Sequence, residues 1–426
     1  MLVPSRSSQR RRLVAVWVVL ATIAAGMVAS WTVWVPASAA SAVVTGPLFN
    51  KPTGTTSQQN AILSHVGALT NGATSGSRIR IAMYVFGSNW LAEQLVAAKD
   101  RGVSVQVIVD DATRKHREGA GAYQILAQGL GTNPAAPSWV LACRPDHACL
   151  GKDPDPDDSY FPVNHNKFYL FSKSSGRAAD PAQAVPDVVV QSSANLTTWD
   201  RKTAWNSAMT VVGNHTLFQA YNSYFEDLRA AALGQIPQTA DYPVQVRAWP
   251  AKAYFFPRSK TDVILSILNN VDDPVDSSAV CHGNSAGYGT SDGRTVIRVA
   301  MHQITRIAVA RKLWELDNAG CYVDIVYRYL DENGTAVAAQ LTKPTAYGGI
   351  ALHRLDGVTT THSKYLLIEG AYSGVANRKI VFTGSHTYTY LALHGNDEAL
   401  LKYVDPAVHD AYRANFWAQR AAADAA

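Results

Sequence analysis

Two histidine–lysine pairs with the same spacing are the residues of this chain best suited to chemistry. They are His165 with Lys167 in HNKFYLFS and His362 with Lys364 in HSKYLLIE. In a strand, alternate side chains share a face, so each pair would place a titratable ring and a fixed cation on one surface. A solvated strand edge would explain one such pair. Two copies indicate a duplicated unit.

A longer internal repeat surrounds these pairs. Residues 79–109 align without a gap on residues 297–327, at a constant offset of 218. Each copy contains a β-branched segment, apolar positions at helical spacing, a glycine, and a second β-branched segment. This pattern predicts a βαβ unit with parallel strands in each copy.

A further strand that ends in a small polar turn follows each histidine–lysine pair. The two segments are VVVQSSANLT at 188–197 and IVFTGSHTYT at 380–389, and an aromatic helix closes each copy, AYNSYFEDL at 220–228 and AYRANFWAQ at 411–419. The chain is therefore predicted to be an α/β protein of two similar halves, each with a mixed, largely parallel sheet flanked by helices.

Prolines indicate where the halves divide. Pro237, Pro243 and Pro250 interrupt any regular pattern between the two repeats. We therefore predict a first half at 43–235, a linker at 236–256, and a second half at 257–426. Each half is long enough to bury its own core.

The N-terminus predicts export. Four arginines at positions 6, 10, 11 and 12 precede an uncharged apolar stretch from Leu13 to Val35, followed by PASAASA with small residues at cleavage spacing. This pattern is typical of a signal peptide, here residues 1–42, and of a secreted protein. The apolar stretch is also long enough to act as an uncleaved membrane anchor for an exported domain, which remains the alternative.

Four cysteines in an exported chain predict two disulfides. Cys143 and Cys149 would staple an extra segment of the first half, and Cys281 and Cys321 would join the second half's first segment to a strand. The other two pairings stay open on the sequence alone.

Charge makes nucleic acid a less expected partner. The formal net charge is +5, from 38 Lys and Arg against 33 Asp and Glu, and four of those arginines precede residue 39. Without that segment the net charge is about +1. Such a chain lacks the broad positive field that accompanies sequence-independent nucleic-acid binding.

These motifs resemble the phospholipase D superfamily in its two-motif, single-chain form. The resemblance rests on the duplicated α/β unit, the two His-x-Lys pairs and the polar turns, and it extends over roughly residues 60–420. HNKFYLFS is also similar to the first motif of secreted actinobacterial phospholipase D-like proteins. The resemblance implies two halves packed about a pseudo-twofold axis with one shared active site.

The same resemblance implies phosphodiester chemistry without a metal or another cofactor. Such chemistry needs a nucleophile, a proton donor for the leaving alcohol, and cations around the phosphoryl oxygens. By resemblance, His165 is the nucleophile that forms a phosphohistidine, and His362 is the general acid and base. Lys167 and Lys364 would hold the phosphoryl oxygens.

Several polar residues near the turns could support this site. The candidates for phosphate binding or support are Ser193, Asn195, Ser385, Asp200, Asn396 and Glu398. Asp200 in the first half and Glu398 in the second are the expected carboxylates that orient the imidazoles. The alternative for any single serine or asparagine is that its side chain forms hydrogen bonds only with the backbone of its own turn.

The chain departs from the family pattern at three positions. The acid expected five residues after each lysine is Ser172 in the first motif and Glu369 in the second, and the asparagine of the second turn is Thr387. Because both histidines and both lysines remain, we expect an active enzyme with an open substrate range.

Three functional hypotheses follow. The first is a secreted phospholipase D that hydrolyses, or transfers, glycerophospholipid head groups at a membrane interface. The second is an exported endonuclease or other phosphodiesterase, and the third is a non-catalytic lipid-binding module. Since both half-sites lie in one chain, a monomer is expected.

Overall fold

The computed structural model describes residues 43–176, 181–271, 281–285, 292–331 and 336–425. The segment predicted as a signal peptide, residues 1–42, lies outside this range. Among the helices of the described residues, none has the length and apolar character needed to cross a membrane.

The first half consists of a central sheet with helices before, between and after its strands. In chain order its elements are β1 (Gly46–Phe49), α1 (Thr56–Gln59), α2 (Ala61–Asn71), β2 (Arg78–Met83), α3 (Asn89–Asp100), β3 (Ser104–Val109), α4 (Ala112–Lys115), α5 (Arg117–Leu130), β4 (Trp139–Ala142), β5 (Lys167–Ser174), a short 3-10 helix (Pro181–Gln183), β6 (Val185–Ser192), α6 (Thr198–Lys202), β7 (Ala204–Trp205), β8 (Ser207–Val211) and α7 (His215–Ala232).

The second half repeats this plan. Its elements are β9 (Gln245–Ala248), β10 (Ala251–Phe255), α8 (Val263–Asn269), β11 (Val296–Gln303), α9 (Ile307–Asn318), β12 (Tyr322–Tyr329), α10 (Ala336–Leu341), β13 (Ala351–Arg354), β14 (Thr360–Thr361), β15 (Lys364–Tyr372), β16 (Val375–Gly384), α11 (Tyr390–His394), β17 (Ala399–Val404) and α12 (Pro406–Asp424).

The strands form two large mixed sheets. Their order is β1-β8-β6-β5-β2-β3-β4 in the first half and β13-β12-β11-β15-β16-β17-β10-β9 in the second. The predicted fold class of two similar α/β halves is confirmed. Largely parallel pairing holds only for the βαβ parts, β2-β3-β4 and β11-β12-β13. The other neighbours are antiparallel, because hairpins and short connections join strands in opposite directions.

Local sequence explains the βαβ units. The Ser88 side chain accepts a hydrogen bond from the Leu91 N–H and so begins α3. Gly102 ends the turn after α3 with φ of 88°, and Gly320 does the same after α9 with φ of 114°. Residues with a Cβ rarely adopt such angles, so glycine is needed at both stops.

Three hydrophobic layers hold the fold together. The outer face of the first sheet packs on α2, α3 and α5, and the outer face of the second packs on α8, α9 and α10. The inner faces of both sheets share one core with α7 and α12. Burial of this shared core stabilises the contact between the halves.

The two closing helices each reach across to the other half. Helix α7 contacts β9 and β10, and helix α12 contacts β1. Tyr221 of α7 meets Phe255 edge to face at 5.1 Å, and Tyr412 of α12 meets Phe49 at 4.9 Å. The aromatic residues seen in the sequence of these helices therefore serve the contact between halves.

Strands β9 and β10 lie within the stretch 236–256 that the prolines suggested as a linker. They form a hairpin at the edge of the second sheet, where β10 pairs with β17. The prolines flank these strands, consistent with the difficulty of placing proline inside a sheet.

Both predicted disulfides are present. Cys143 is bonded to Cys149, and Cys281 to Cys321. The first closes a small loop after β4, and the second ties the segment before β11 to the start of β12. Each loop closure restricts the unfolded chain and so favours the folded state.

Candidate active site

The backbone at each histidine is held by the opposite half of the molecule. His165 N–H donates to the Asp397 carbonyl at 3.0 Å, and His362 N–H donates to the Trp205 carbonyl at 2.9 Å. Strands β14 and β7 form a short parallel pair just before His362. The two His-x-Lys motifs are therefore placed by reciprocal contacts between halves.

A buried carboxylate orients the ring of His165. Its Nδ1 lies 2.9 Å from Glu398 Oε1, and the Glu398 side chain is fully buried. Since an ionised carboxylate only accepts, Nδ1 carries the proton and Nε2 carries the lone pair. Burial raises the pKa of Glu398, but His165, His386 and Lys167 outweigh it and bring the pKa below its ordinary value.

An amide and a more distant carboxylate orient the ring of His362. Its Nδ1 lies 2.9 Å from Asn206 Oδ1 and 3.2 Å from Asp200 Oδ1. The Asn206 amide in turn donates to the Asp200 and Ala204 carbonyls, so its orientation is defined. The two predicted carboxylates thus serve crosswise: Glu398 serves the first-half histidine, and Asp200 the second-half histidine.

The two lysines lie beneath the histidines. Lys167 Nζ donates to the His165 carbonyl and Lys364 Nζ to the His362 carbonyl, each at 2.7 Å. Both side chains are almost completely buried, and neither lines the cavity described below. Each ammonium has two further N–H groups that it can donate.

Burial and mutual repulsion lower the pKa of the basic groups. Burial lowers the pKa of Lys167 to about 8, opposed by Glu398, Asp200 and Asp110. Burial, reinforced by Lys167, lowers the pKa of Lys364 well below its ordinary value. An anion placed among these groups would raise the pKa values again, so the site is arranged to receive negative charge.

Burial also lowers the pKa of both imidazoles. Burial lowers the pKa of His165, although Glu398 opposes it. Burial lowers the pKa of His362 further, together with the charges of Lys364 and Lys167. A neutral imidazole with a free Nε2 is the form in which a histidine attacks an electrophile.

The polar residues of the two turns differ in role: some support the turn, and others line the cavity. Ser193 Oγ donates to Asn206 Oδ1 at 2.8 Å, and Ser385 Oγ accepts from the Ala399 N–H at 3.1 Å. Both serines are buried and support the turns. Asn195 lines the cavity, and its Oδ1 is buried without a hydrogen-bond partner among the described residues.

Asn396 and Thr387 also line the cavity. Asn396 Oδ1 accepts from the Val163 N–H at 3.0 Å, and its amide donates to Glu398 at 3.4 Å. Thr387 lines the cavity where Asn195 does in the other turn, and its hydroxyl contacts Thr389 at 3.1 Å. Asn396 therefore joins the first-half loop to the carboxylate of the site.

Both histidines line a single cavity of about 750 Å³. Its wall is mainly tyrosine, histidine and small polar residues from both halves. The lining residues are Tyr84, Asp158, Tyr160, Val163, His165, Asn195, His302, Gln303, Thr305, Tyr329, Asp331, Ala336, His362, Thr387, Thr389, Tyr390, Leu391 and Asn396.

The disulfide-stapled segment of the first half forms part of this wall. Asp397 accepts hydrogen bonds from the backbone N–H groups of Cys149, Leu150 and Gly151, at 2.7 to 3.3 Å. Further along the same segment, Tyr160 lines the cavity. The extra loop is thereby docked onto the second half beside Glu398.

Ser172 and Glu369 stand at the positions five residues after each lysine where the chain departs from the family pattern. Neither residue lines the cavity. Glu369 is buried and contacts Arg298 at 3.4 Å and Arg413 at 3.5 Å. In the first half, Arg80 occupies the place of Arg298 and pairs with Glu226 of α7. Glu369 therefore belongs to buried ion pairs of the scaffold, whereas Ser172 accepts a hydrogen bond from the Arg78 N–H at 2.8 Å.

Tyr160, Trp139 and Trp90 lie in three different environments. Tyr160 lines the cavity, whereas Trp139 is buried against Phe225 at 5.9 Å. Trp90 lies in a separate depression beside Arg117. Only the position of the folded loop distinguishes these cases, because an aromatic residue suits a core and a rim equally.

Three residues around the histidines were missed from the sequence: Tyr84 and His302, which line the cavity, and the buried Asn206. Asn206 is the first-half counterpart of Glu398, at the offset of 192 that relates Ser193 to Ser385. Tyr84 and His302 are counterparts at the offset of 218, and their rings contact His165 and His362 at 5.1 and 4.7 Å. Tyr84 and His302 lie within the repeat 79–109 and 297–327, and extending the alignment past the polar turns would have found Asn206.

Two histidines that share one cavity, each with a buried lysine behind it, are the arrangement that the sequence resemblance to the phospholipase D superfamily implies. The family profile described as "Cardiolipin synthase, PLD-like domain" matches residues 69–229 and 292–420. The chain therefore belongs to this family. Members of the superfamily are phosphoryl-transfer enzymes.

Solved structures show the same fold. Phosphatidylserine synthase from Haemophilus influenzae Rd KW20 superposes with a TM-score of 0.56 at 13% identity, over 88% of this chain and 85% of the synthase. Polyphosphate kinase from Porphyromonas gingivalis superposes with a TM-score of 0.53 at 12% identity, over 88% of this chain. The chain spans about half the length of that kinase, 50%. A comparison with curated proteins gives no match.

Proposed function

We propose that this protein is an exported phospholipase D that releases the head group of glycerophospholipids through a phosphohistidine. The observation that carries the proposal is the charge of the cavity wall. Among the described residues that line it, the charged side chains besides histidine are Asp158 and Asp331, and no lysine or arginine lines it. These carboxylates attract a head group with an ammonium and repel a polyanion such as DNA.

The rim of the cavity also suits a lipid interface. Tyr160 and Tyr390 line the cavity and are each 53% exposed, and neighbouring Phe161 is 49% exposed. Aromatic side chains of this kind partition into the interfacial layer of a bilayer. The substrate would then enter the cavity from the membrane surface.

The first chemical step uses the asymmetry between the histidines. His165 Nε2 attacks phosphorus, while the Glu398 carboxylate stabilises the positive charge that develops on its ring. His362 becomes protonated when the phosphate anion binds, and it protonates the leaving head-group oxygen. Lys167 and Lys364 offset the phosphoryl charge from beneath.

The second step returns the enzyme to its starting state. His362, now neutral, takes a proton from water or an alcohol, whose oxygen attacks phosphorus. The bond between phosphorus and His165 Nε2 breaks, and phosphatidic acid or a transfer product leaves. Asn195, which lines the cavity, would donate a hydrogen bond to the phosphoryl group in both steps.

Other findings support the surroundings of this reaction. The matching family and one structural neighbour carry the names of phospholipid synthases, which is consistent with a phosphatidyl group as the transferred unit. Two disulfides suit an oxidising compartment outside the cytoplasm. Because one chain supplies both half-sites, we propose a monomer.

The test measures head-group release from mixed phospholipid vesicles in EDTA, beside plasmid cleavage under the same conditions. The proteins are the wild type, His165→Ala, and the control variant His215→Ala, whose side chain is 71% exposed on α7. We expect release of choline, ethanolamine or serine by the wild type and the control, and none by His165→Ala.

Two outcomes contradict the proposal. Plasmid cleavage without lipid turnover would identify an exported nuclease instead. Lipid binding without turnover of either substrate would identify a non-catalytic lipid-binding protein. Loss of release in EDTA, restored by a divalent cation, would overturn the metal-independent mechanism alone.

A further inference from the structure

A third histidine stands in the cavity wall beside the proposed general acid and base. His302 follows Met301, the strand partner of Lys364, and its N–H donates to the Ser363 carbonyl at 3.0 Å. Its ring lies 4.7 Å from that of His362, with an angle of 83° between the two planes. The two rings therefore face the same part of the cavity.

The hydrogen bonds of His302 define its tautomer. Nδ1 lies 3.1 Å from the Thr361 carbonyl oxygen, which can only accept, so Nδ1 carries the proton. Nε2 then holds a lone pair, and no described protein group donates to it. Burial, together with His362 and Lys364, lowers the pKa of His302, so the ring stays neutral. His302 offers the cavity one hydrogen-bond acceptor.

The other half-site differs at this position. The repeat places Tyr84 where the second half has His302, and the Tyr84 ring lies 5.1 Å from His165 and 5.2 Å from Lys167 Nζ. A tyrosine hydroxyl both donates and accepts, whereas His302 only accepts. An acceptor therefore stands beside the histidine that handles protons, and not beside the proposed nucleophile.

We propose that His302 favours water over alcohols as the acceptor in the second step; the proposal rests on the two-step reaction given above. Attacking water has two O–H groups. One proton passes to His362 Nε2 as the new oxygen–phosphorus bond forms and the bond from phosphorus to His165 breaks. The other O–H donates to His302 Nε2.

An alcohol cannot satisfy both histidines. Its single O–H must give its proton to His362, which leaves the His302 lone pair without a donor inside the cavity. The alcohol reaction therefore lacks one hydrogen bond that the water reaction makes, so it is disfavoured relative to hydrolysis. Removing the acceptor should remove this difference.

The test measures acceptor choice as a product ratio. The wild type, His302→Phe, His302→Gln and Tyr84→Phe react with phosphatidyl-p-nitrophenol in buffer containing ethanol, and phosphatidylethanol is compared with phosphatidic acid. We expect His302→Phe to raise the transfer-to-hydrolysis ratio about tenfold. His302→Gln keeps an acceptor and should stay near the wild-type ratio, as should Tyr84→Phe, the matched change at the other half-site.

The ratio distinguishes selectivity from a structural role. If His302→Phe slows both products equally, His302 only supports the site and the proposal is wrong. An equal rise in Tyr84→Phe would also contradict it, because the effect would then be general to the wall.

A second substrate separates this inference from the lipid assignment. With bis(p-nitrophenyl) phosphate, ethyl p-nitrophenyl phosphate and p-nitrophenyl phosphate report the same choice without a lipid. A changed ratio here with no lipid turnover would support His302 and overturn the phospholipase assignment. No turnover of either substrate by the wild type would overturn both.

Discussion

The two half-sites have the same histidine and lysine but different partners behind the ring. His165 is paired with the buried carboxylate of Glu398 at 2.9 Å. His362 is paired with the amide oxygen of Asn206 at the same distance, and Asp200 lies slightly farther away. Duplication thus produced two equivalent positions behind the histidines. They differ chemically because one holds Glu398 and the other holds Asn206.

This difference explains how a duplicated site can divide two roles. A carboxylate partner stabilises a histidine that becomes positively charged when it bonds to phosphorus. An amide gives less stabilisation to a cation, so the His362 ring releases a proton more readily. The comparison supports His165 as the nucleophile and His362 as the proton carrier, and four experiments can break or sharpen it.

The largest effect should come from the histidines themselves. His165→Asn should lower kcat by roughly 10⁴-fold or more for every substrate, because no group remains to attack phosphorus. His362→Asn should still release p-nitrophenol in a burst, since that leaving group needs no proton, and a phosphorylated His165 should then accumulate. Rapid-quench kinetics and mass spectrometry check this. A burst from His165→Asn in place of His362→Asn would reverse the two roles.

The next effect should separate the two partners. Glu398→Gln should lower kcat by roughly 10²- to 10⁴-fold, because the ring loses both its charge partner and its defined tautomer. Asn206→Ala should cost about tenfold, since Asp200 remains within reach of His362. Steady-state kcat and KM measure both. Equal losses of kcat in the two variants would mean that the carboxylate and the amide contribute equally to catalysis.

A third comparison concerns stability at the positions that depart from the family pattern. Glu369→Gln removes the buried carboxylate that Arg298 and Arg413 share and should lower the free energy of unfolding by about 3 kcal/mol. Ser172→Ala, at the matching position, should cost about 1 kcal/mol, since it removes one acceptor for the Arg78 N–H. Chemical denaturation gives both values. A large fall in kcat with unchanged stability would place Glu369 in the catalytic machinery instead.

The smallest effect should appear in the pH profile. Because burial lowers the pKa of Lys167 to about 8, its ammonium is charged below that pH and neutral above it. Activity of the free enzyme, kcat/KM, should therefore fall about tenfold per pH unit above pH 8. Lys167→Arg keeps its charge at high pH, so its profile should lack this limb. If kcat/KM of Lys167→Arg still falls above pH 8, the group that titrates there is not Lys167.

Sequence reasoning found more of the fold than of the site. The gapless repeat predicted both βαβ units and the two halves, because the buried faces of strands and helices leave periodic patterns in the sequence. The antiparallel remainder of each sheet was not predicted, since the alternation of side chains along a strand does not show the direction of its neighbour. The predicted pairing of Cys143 with Cys149 is confirmed, and two cysteines this close in sequence can be joined within one loop.

Site prediction was limited by contacts between the halves. Ser193 and Ser385 were expected at the phosphate, but their hydroxyls bind turn atoms, and a serine has the same appearance in both roles. Asn206 was overlooked because an asparagine in a loop has many ordinary functions. Only its 2.9 Å contact with His362 singles it out.

By itself, the sequence determined the duplication, the two His-x-Lys motifs and the superfamily to which they belong, because these depend on local spacing and on residue types that recur. The tertiary structure decided which carboxylate serves which histidine, where the stapled loop lies, and which charges line the cavity. Those features depend on the packing of two halves around one core, where groups more than 230 residues apart, such as His165 and Glu398, come into contact. Such contacts depend on the apolar surface that the two halves bury together when they pack, and no single stretch of sequence determines that packing.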